Sequence, residues 1–76
     1  MKGIKFFYIT CEKKKEARVI SETLVERKLI ACANIIDNVE SIFSWNKKIN
    51  RSKEALIVGK TMSKNVQKII RLVKKI

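Results

Sequence analysis

The spacing of apolar and polar positions predicts the first two elements of the chain. Residues 4–10, IKFFYIT, are β-branched and aromatic and place apolar side chains on both faces, as an interior strand does. Over residues 14–28 the spacing changes to three and four, and Ala17, Ile20 and Leu24 fall in step. Residues three and four apart share one face of a helix, so this segment is predicted to be an amphipathic helix.

From residue 30 onward the pattern has a period of two, which predicts a long β-hairpin. Its first strand covers residues 30–45, with a bend expected at residues 37–38, where Asp is followed by Asn. The turn is predicted at residues 46–48 and the return strand at residues 49–61.

The two faces of this hairpin are assigned by parity. On the first strand, Cys32 alternates in step with Ile30 and Ile36, whereas Ala33 and Ile35 point the other way. Because Ile30 and Ile36 are apolar, we expect Cys32 to be the inward point of a packed strand. The return strand divides in the same way, with Ala55, Ile57 and Gly59 on one face and Leu56 and Val58 on the other.

A final helix is predicted over residues 63–76. Ser63 is a suitable N-cap, and one apolar stripe follows the helix: Val66, Ile69, Ile70, Val73 and Ile76. The order β-α-β-β-α is the α+β ferredoxin-like plan with its last strand missing. That plan leaves residues 4–10 as an open edge with apolar residues on both faces, and such an edge invites pairing with another chain.

The charge of the chain raises the question of nucleic acid. A chain of 76 residues fits a single domain, residues 1–76, and its net charge is +11. Only four of its 18 cationic residues are arginine, and its aromatic residues are not interleaved with the lysines. Nucleic-acid readers favour arginine and stacking aromatics, so nucleic acid is not the expected partner. A small basic nucleic-acid-associated domain is kept as the alternative function.

The expected cellular location follows from the length and charge of the apolar runs. No run approaches the roughly 20 residues that cross a bilayer, and the first run is too short and too charged for a signal peptide. We therefore expect no membrane partner. A reducing cytoplasm is the predicted location, in which both cysteines stay free.

Three segments together resemble one known family. LVERKLIACANI (residues 24–35) looks like the helix-to-strand segment of the CutA divalent-cation tolerance family, and SWNKKI (residues 44–49) resembles its W-x-G-K hairpin tip. Glu54 through Lys60-Thr61 resembles the strand that follows. The resemblance covers essentially the whole chain in order, so the chain is identified as a member of this family.

The resemblance implies a ferredoxin-like protomer that assembles as a homotrimer, with long hairpins that extend the sheets between subunits. It also implies a role in tolerance of copper and other divalent cations. No catalysed reaction is implied, so we expect a binding or scaffold protein and not an enzyme.

The chain departs from the family pattern in three places, one of which is Cys11: it lies further along, beyond Thr10, than the second thiol that some members carry at the end of the first strand, so the resemblance carries no role over to it. The family continues past the second helix with a histidine-containing H-x-Y-x-x-P stretch, a strand and a helix, whereas this chain is short at its C-terminal end and has no histidine. In addition, Lys47 stands at the glycine of the hairpin tip. If the tip requires positive φ there, the strain costs about 1 kcal/mol unless Asn46 adopts that conformation instead.

Two cysteines are the only thiolate ligands in the chain, which has no imidazole ligand. Copper and zinc sites use thiolate and imidazole, and Cys11 and Cys32 are the candidates here. One protomer cannot complete a coordination sphere with them, although a trimer would bring three copies of one cysteine together. The first interpretation of Cys32 is a small buried apolar residue, and metal contact is the second. A nucleophilic role is disfavoured, because no histidine is present to act as a base.

Four further residues are candidates for an interface or a ligand cleft. Trp45 and Phe43 lie near the hairpin tip, where aromatic side chains on a monomer form an exposed apolar patch. We expect them to dock on a neighbouring subunit, with the lining of a ligand site as the alternative. Glu54 and Lys60 share a face of the return strand and are either solvated charges or part of a polar cleft between subunits.

Overall fold

The computed structural model describes residues 3–75 and confirms the predicted α+β order, β-α-β-β-α. The strands are β1 (Ile4–Cys11), β2 (Cys32–Trp45) and β3 (Lys48–Met62), and the helices are α1 (Lys14–Glu26) and α2 (Val66–Lys75), with a 3₁₀ turn at Ser63–Asn65 before α2. The sheet is antiparallel with the order β1-β3-β2. The return strand of the hairpin is therefore central, and β1 lies at an edge.

The hydrophobic core lies between one face of the sheet and the two helices. Ala17, Ile20 and Leu24 on α1 are buried, as the spacing predicts, and Ile57 on β3 is fully buried beneath them. Ile69 is the residue of α2 that belongs to this core. Burial of each large aliphatic side chain contributes about 1.5–3 kcal/mol to the stability of the protomer.

The first helix ends two residues earlier than predicted, at Glu26. Lys28 adopts a left-handed conformation with φ of 58°. The amide of Lys28 donates to the carbonyl of Val25, and the amide of Leu29 donates to the carbonyl of Leu24, both at 3.0 Å. This is the Schellman arrangement, which satisfies the last carbonyl groups of a helix.

The bend expected at residues 37–38 is present as a β-bulge. The register shifts between Ile36, opposite Leu56, and Val39, opposite Glu54, so two residues of β2 stand opposite one of β3. Asn38 has φ of 57°, and its amide donates to the carboxylate of Asp37. The extra residue reverses the alternation of β2 from this point to the hairpin tip.

Within residues 3–75, residues 4–10 lie at an edge of the sheet, as the β-α-β-β-α order predicts. Two sequence predictions need correction. Cys32 does not point into the core, because β2 begins at Cys32 and the buried Ile30 lies in the connection before it, where strand parity does not apply. Ser63 makes no side-chain cap: it opens the 3₁₀ turn, whose N-cap residue is Met62.

The apolar stripe of the last helix is only partly covered. Ile69 is buried and Val73 packs against the core, whereas Ile70 remains 40% exposed. Ile76, the last residue of the predicted stripe, lies outside the described residues.

Candidate functional site

The face of the sheet that points away from the helices, called here the open face, carries most of the candidate residues. Residues that stand opposite each other in a sheet share a face. Lys60 stands between Phe6 and Cys32, and Val58 stands between Tyr8 and Asn34. The same register, continued through the bulge, also puts further residues on the open face: Thr10, Ile36, Val39, Ser41, Phe43, Trp45, Glu54 and Leu56.

Large apolar side chains of the open face are exposed in the protomer. Phe6 is 73% exposed, Tyr8 is 74% exposed and Trp45 is 67% exposed, and Ile36 and Phe43 are also largely in contact with solvent. Apolar patches of this kind on a soluble protein mark an interaction surface.

A shallow cavity of about 450 Å³ lies on the open face where β1 faces the start of the hairpin arm. Phe6, Tyr8 and Thr10 form one side, and Val39 and Ser41 form the other. Sequence reasoning missed this set. The apolar residues on both faces of β1 were the only sequence signal for this cavity. Val39 and Ser41 lie on the open face only because the bulge reverses the alternation of β2.

The four predicted interface or cleft residues share the open face but are spread along it. Glu54 and Lys60 are six residues apart on β3, which corresponds to about 20 Å at 3.3 Å per residue. Phe43 pairs with Asn50 and Trp45 with Lys48, close to the hairpin tip. One protomer therefore does not gather them into a single cleft.

The surroundings of Glu54 are polar. Its carboxylate accepts a hydrogen bond of 3.3 Å from the hydroxyl of Ser52. Together with Lys13, Asp37 and Lys53 it lines a small cavity of about 290 Å³ beside the bulge. Charges of both signs line this cavity.

The two cysteines lie on opposite faces of the sheet. Cys32, half-buried on the open face, stands opposite Lys60, whereas Cys11 stands opposite Ala55 in the core. Ala55 and Lys60 are five residues apart on β3, or about 16 Å. The two thiols of one protomer therefore cannot bind the same metal ion.

Cys11 is 3% exposed and is surrounded by the core. Burial raises the pKa of the Cys11 thiol, and the carboxylates of Glu16 and Glu54 raise it further. A neutral thiol is a poor ligand and a poor nucleophile, since the thiolate performs both functions.

The donor groups of one protomer do not fit a copper or zinc ion. Within residues 3–75, no three residues among the histidine, cysteine, aspartate and glutamate types stand close enough to hold a metal ion. A soft metal prefers several thiolate or imidazole ligands in one sphere, and here each face of the sheet offers one cysteine.

Comparison with known proteins decides the family. Residues 5–76 match the model of the CutA1 divalent ion tolerance protein family. This chain belongs to the CutA1 family. The predicted membership is thereby confirmed, and the open face is a surface of a CutA1 fold.

Relatives of the CutA1 family share both sequence and structure with this chain. A CutA homolog of Xenopus laevis is 38% identical over 69 residues, which cover 91% of this chain. The divalent-cation tolerance protein CutA of Archaeoglobus fulgidus is 38% identical over 64 residues, which cover 84%. The crystal structure of the divalent ion tolerance protein CutA1 from Ehrlichia chaffeensis superposes over the whole chain with a TM-score of 0.88 at 38% identity.

The chain is shorter than these relatives. It spans 46% of the Xenopus laevis protein, 62% of the Archaeoglobus fulgidus protein and 71% of the Ehrlichia chaffeensis chain. The structure of the Archaeoglobus fulgidus relative is described as that of a periplasmic protein. Neither helix in residues 3–75 of this chain has the length and apolar content needed to cross a membrane.

Proposed function

We propose that this chain acts in tolerance of divalent metal cations as a trimeric binding or scaffold protein of the cytoplasm, and not as an enzyme. The observation that carries the proposal is the exposed apolar open face on a CutA1 fold. The single domain of residues 1–76 would be the protomer. The nucleic-acid alternative rests on net charge alone and is not carried further.

Assembly is proposed because the open face is costly to leave in water. Phe6, Tyr8, Phe43 and Trp45 expose aromatic rings, and burial of each contributes about 1.5–3 kcal/mol. Trp45 and Phe43 lie on the arm formed by the end of β2 and the start of β3, far from the helices. Such an arm reaches a neighbouring subunit without disturbing the protomer's own core.

Metal binding is proposed at the assembled level, with copper as the preferred cation. Cys32 is half-buried on the open face, which supports the proposal that symmetry-related copies of it would share one ion at a subunit junction. Cys11 is a weaker candidate, because it is buried as a neutral thiol. Glu54 and Lys60 would contribute charge to clefts between subunits.

The assembly is tested by sedimentation equilibrium of the wild type and two variants. Tyr8→Glu places a charge on the open face and is expected to shift the protein from trimer toward monomer. Val19→Glu makes the same kind of change at an exposed apolar residue of α1, outside the open face, and should leave the trimer intact. A wild type that is monomeric at tens of micromolar would contradict the proposed assembly.

The metal proposal is tested by equilibrium dialysis with Cu(II) and with Cu(I) under reducing conditions. Wild type and Cys11→Ala are expected to retain copper, whereas Cys32→Ala should lose it. Equal and weak binding by all three proteins would overturn the assignment to Cys32. Copper that is bound only by the trimeric species would support a site between subunits.

A further inference from the structure

Every charged side chain in residues 55–76 is cationic. This segment contains six cationic residues and no acidic one: Lys60, Lys64, Lys68, Arg71, Lys74 and Lys75. Four of them follow each other at intervals of four, three and four residues and are called here the basic stripe: Lys64, Lys68, Arg71 and Lys75. Residues at these intervals share one side of a helix, so the stripe runs along the 3₁₀ turn and α2.

The basic stripe lies on the side of α2 that is turned away from β1. Ile69 faces the core, and Ile70 and Val73 line a cavity beside β1. With about 3.6 residues per turn, Ile70 and Val73 fall on one side of Ile69 and the stripe falls on the other. All four side chains of the stripe are exposed. The stripe is also remote from the open face, because α2 packs on the opposite face of the sheet.

The cations of the stripe form one continuous surface. Lys68, Arg71 and Lys75 line a single depression of about 240 Å³ together with Leu72. The Nε of Arg71 donates to the carbonyl of Gln67 at 3.3 Å, which holds the guanidinium along the helix. Like charges three and four residues apart repel each other, so an anion that contacts all of them relieves this repulsion.

The neighbouring charges favour a thin partner over a wide one. Glu22 and Glu26 are exposed on the outward side of α1, the other helix that covers the core. A membrane or a nucleic-acid duplex lying on the two helices would meet these carboxylates as well as the basic stripe. A single chain of negative charges can follow α2 alone.

The residues of α2 favour phosphate groups over bases or carboxylates. The bases of single-stranded nucleic acid stack on aromatic side chains, and the sequence of α2 contains no aromatic residue. An extended acidic peptide turns every second side chain away from the surface that it contacts. A chain of linked phosphates carries negative charge on every unit, so it can contact each cation of the stripe.

We propose that the basic stripe binds a linear chain of linked phosphates, of which inorganic polyphosphate is the simplest example. The ammonium and guanidinium groups contact phosphate oxygens, and binding releases the counterions of the chain. This site is distinct from the open face and does not depend on the proposed metal function.

The test is isothermal titration calorimetry of the intact protein with long-chain sodium polyphosphate at several NaCl concentrations. Four contacts predict a slope of log K against log salt of about −3, at about 0.7 per contact for a single phosphate strand. A double variant, Lys68→Gln with Lys75→Gln, removes two contacts. The slope should then become shallower by about 1.4, and the affinity at about 0.1 M NaCl should fall more than about tenfold.

A matched double variant separates the stripe from net charge. Lys14→Gln with Lys15→Gln loses the same charge at exposed positions of α1. It should keep the wild-type slope and change the affinity less than about twofold, because exposed charges outside the stripe are screened by salt. All four replaced lysines are exposed, so both variants are expected to fold, which their thermal denaturation checks.

Three results would overturn the proposal. Equal loss of affinity in the two double variants would show that net charge alone attracts polyphosphate. Binding of an oligothymidylate as tight as that of polyphosphate would assign the stripe to nucleic acid. Equally tight binding of poly-L-glutamate would assign it to an acidic protein segment.

Discussion

The phenyl ring of Phe7 lies against the backbone of Gly59, the residue that stands opposite it across β1 and β3. A Cβ atom built on Gly59 would approach Cε1 of that ring to 2.6 Å and the carbonyl oxygen of Cys32 to 3.2 Å. The missing side chain of Gly59 is therefore the space that lets Phe7 pack onto the core side of the sheet.

Gly59→Ala is expected to destabilise the protein by about 1–3 kcal/mol, because the ring of Phe7 must leave its position. Urea denaturation measures the loss. Phe7→Leu shortens the group that clashes, so Gly59→Ala should cost less in the Phe7→Leu background. An equal cost in both backgrounds would mean that the contact between the two residues is not the cause.

Lys47→Gly is expected to stabilise the protein by about 1 kcal/mol. Asn46 and Lys47 both have positive φ, 53° and 62°, as a type I′ hairpin turn requires, and glycine adopts this conformation without strain. Thermal denaturation measures the change. Lys48→Gly is the matched control: Lys48 lies inside β3, where glycine weakens a strand, so that variant should melt earlier.

Stability is expected to fall as the pH rises above about 8.5, the ordinary pKa of a cysteine thiol. The pKa of Cys11 is raised in the folded protein, so in this range the unfolded chain releases the thiol proton while the folded chain keeps it. Deprotonation therefore favours the unfolded state until the pH passes the folded pKa.

Urea denaturation between pH 7 and pH 9.5 measures this dependence. Cys11→Ala lowers stability at every pH by leaving a small cavity, but it should also remove part of the slope. Cys32→Ala serves as the control, since it leaves the core thiol in place. Identical slopes for wild type and Cys11→Ala would contradict the role of Cys11.

The two thiols are expected to react with a disulfide reagent in two phases. Cys32 is half-buried on the open face and should give the fast phase, whereas Cys11 is buried and should react only through local opening. Absorbance of the released thiolate follows both phases. The slow phase should be absent in Cys11→Ala and retained in Cys32→Ala; the reverse assignment would contradict the burial.

Periodicity was sufficient to predict the order of the elements, because α1 and both strands of the hairpin follow their apolar spacing closely. The predicted end of α1 lies two residues too late. The helix ends because Lys28 is left-handed, which allows the amide of Leu29 to donate to the carbonyl of Leu24. A lysine does not signal such a helix end in the sequence. The position of β1 at an edge of the sheet in residues 3–75 agrees with the prediction, because the β-α-β-β-α order lacks the strand that flanks β1 in the ferredoxin-like plan.

The side of the sheet on which a residue lies was harder to predict. Cys32 was assigned to the core through Ile30, although Ile30 precedes the strand. The faces of Phe43 and Trp45 depend on the extra residue at the bulge, and the Asp-Asn pair indicates a bend without giving the number of residues it contains. Strict alternation assigns residues to the faces of a strand only when the strand's start and the number of bulge residues are known.

Because of the bulge, the number of residues between Ile36 and Val39 decides which face of the sheet the side chains of the hairpin arm occupy. Deletion of Asn38 would leave every aromatic residue of the hairpin arm in the sequence, yet it would restore simple alternation and turn Phe43 and Trp45 to the side of the helices. The arm should therefore accept many substitutions near the bulge but no insertion or deletion of a single residue.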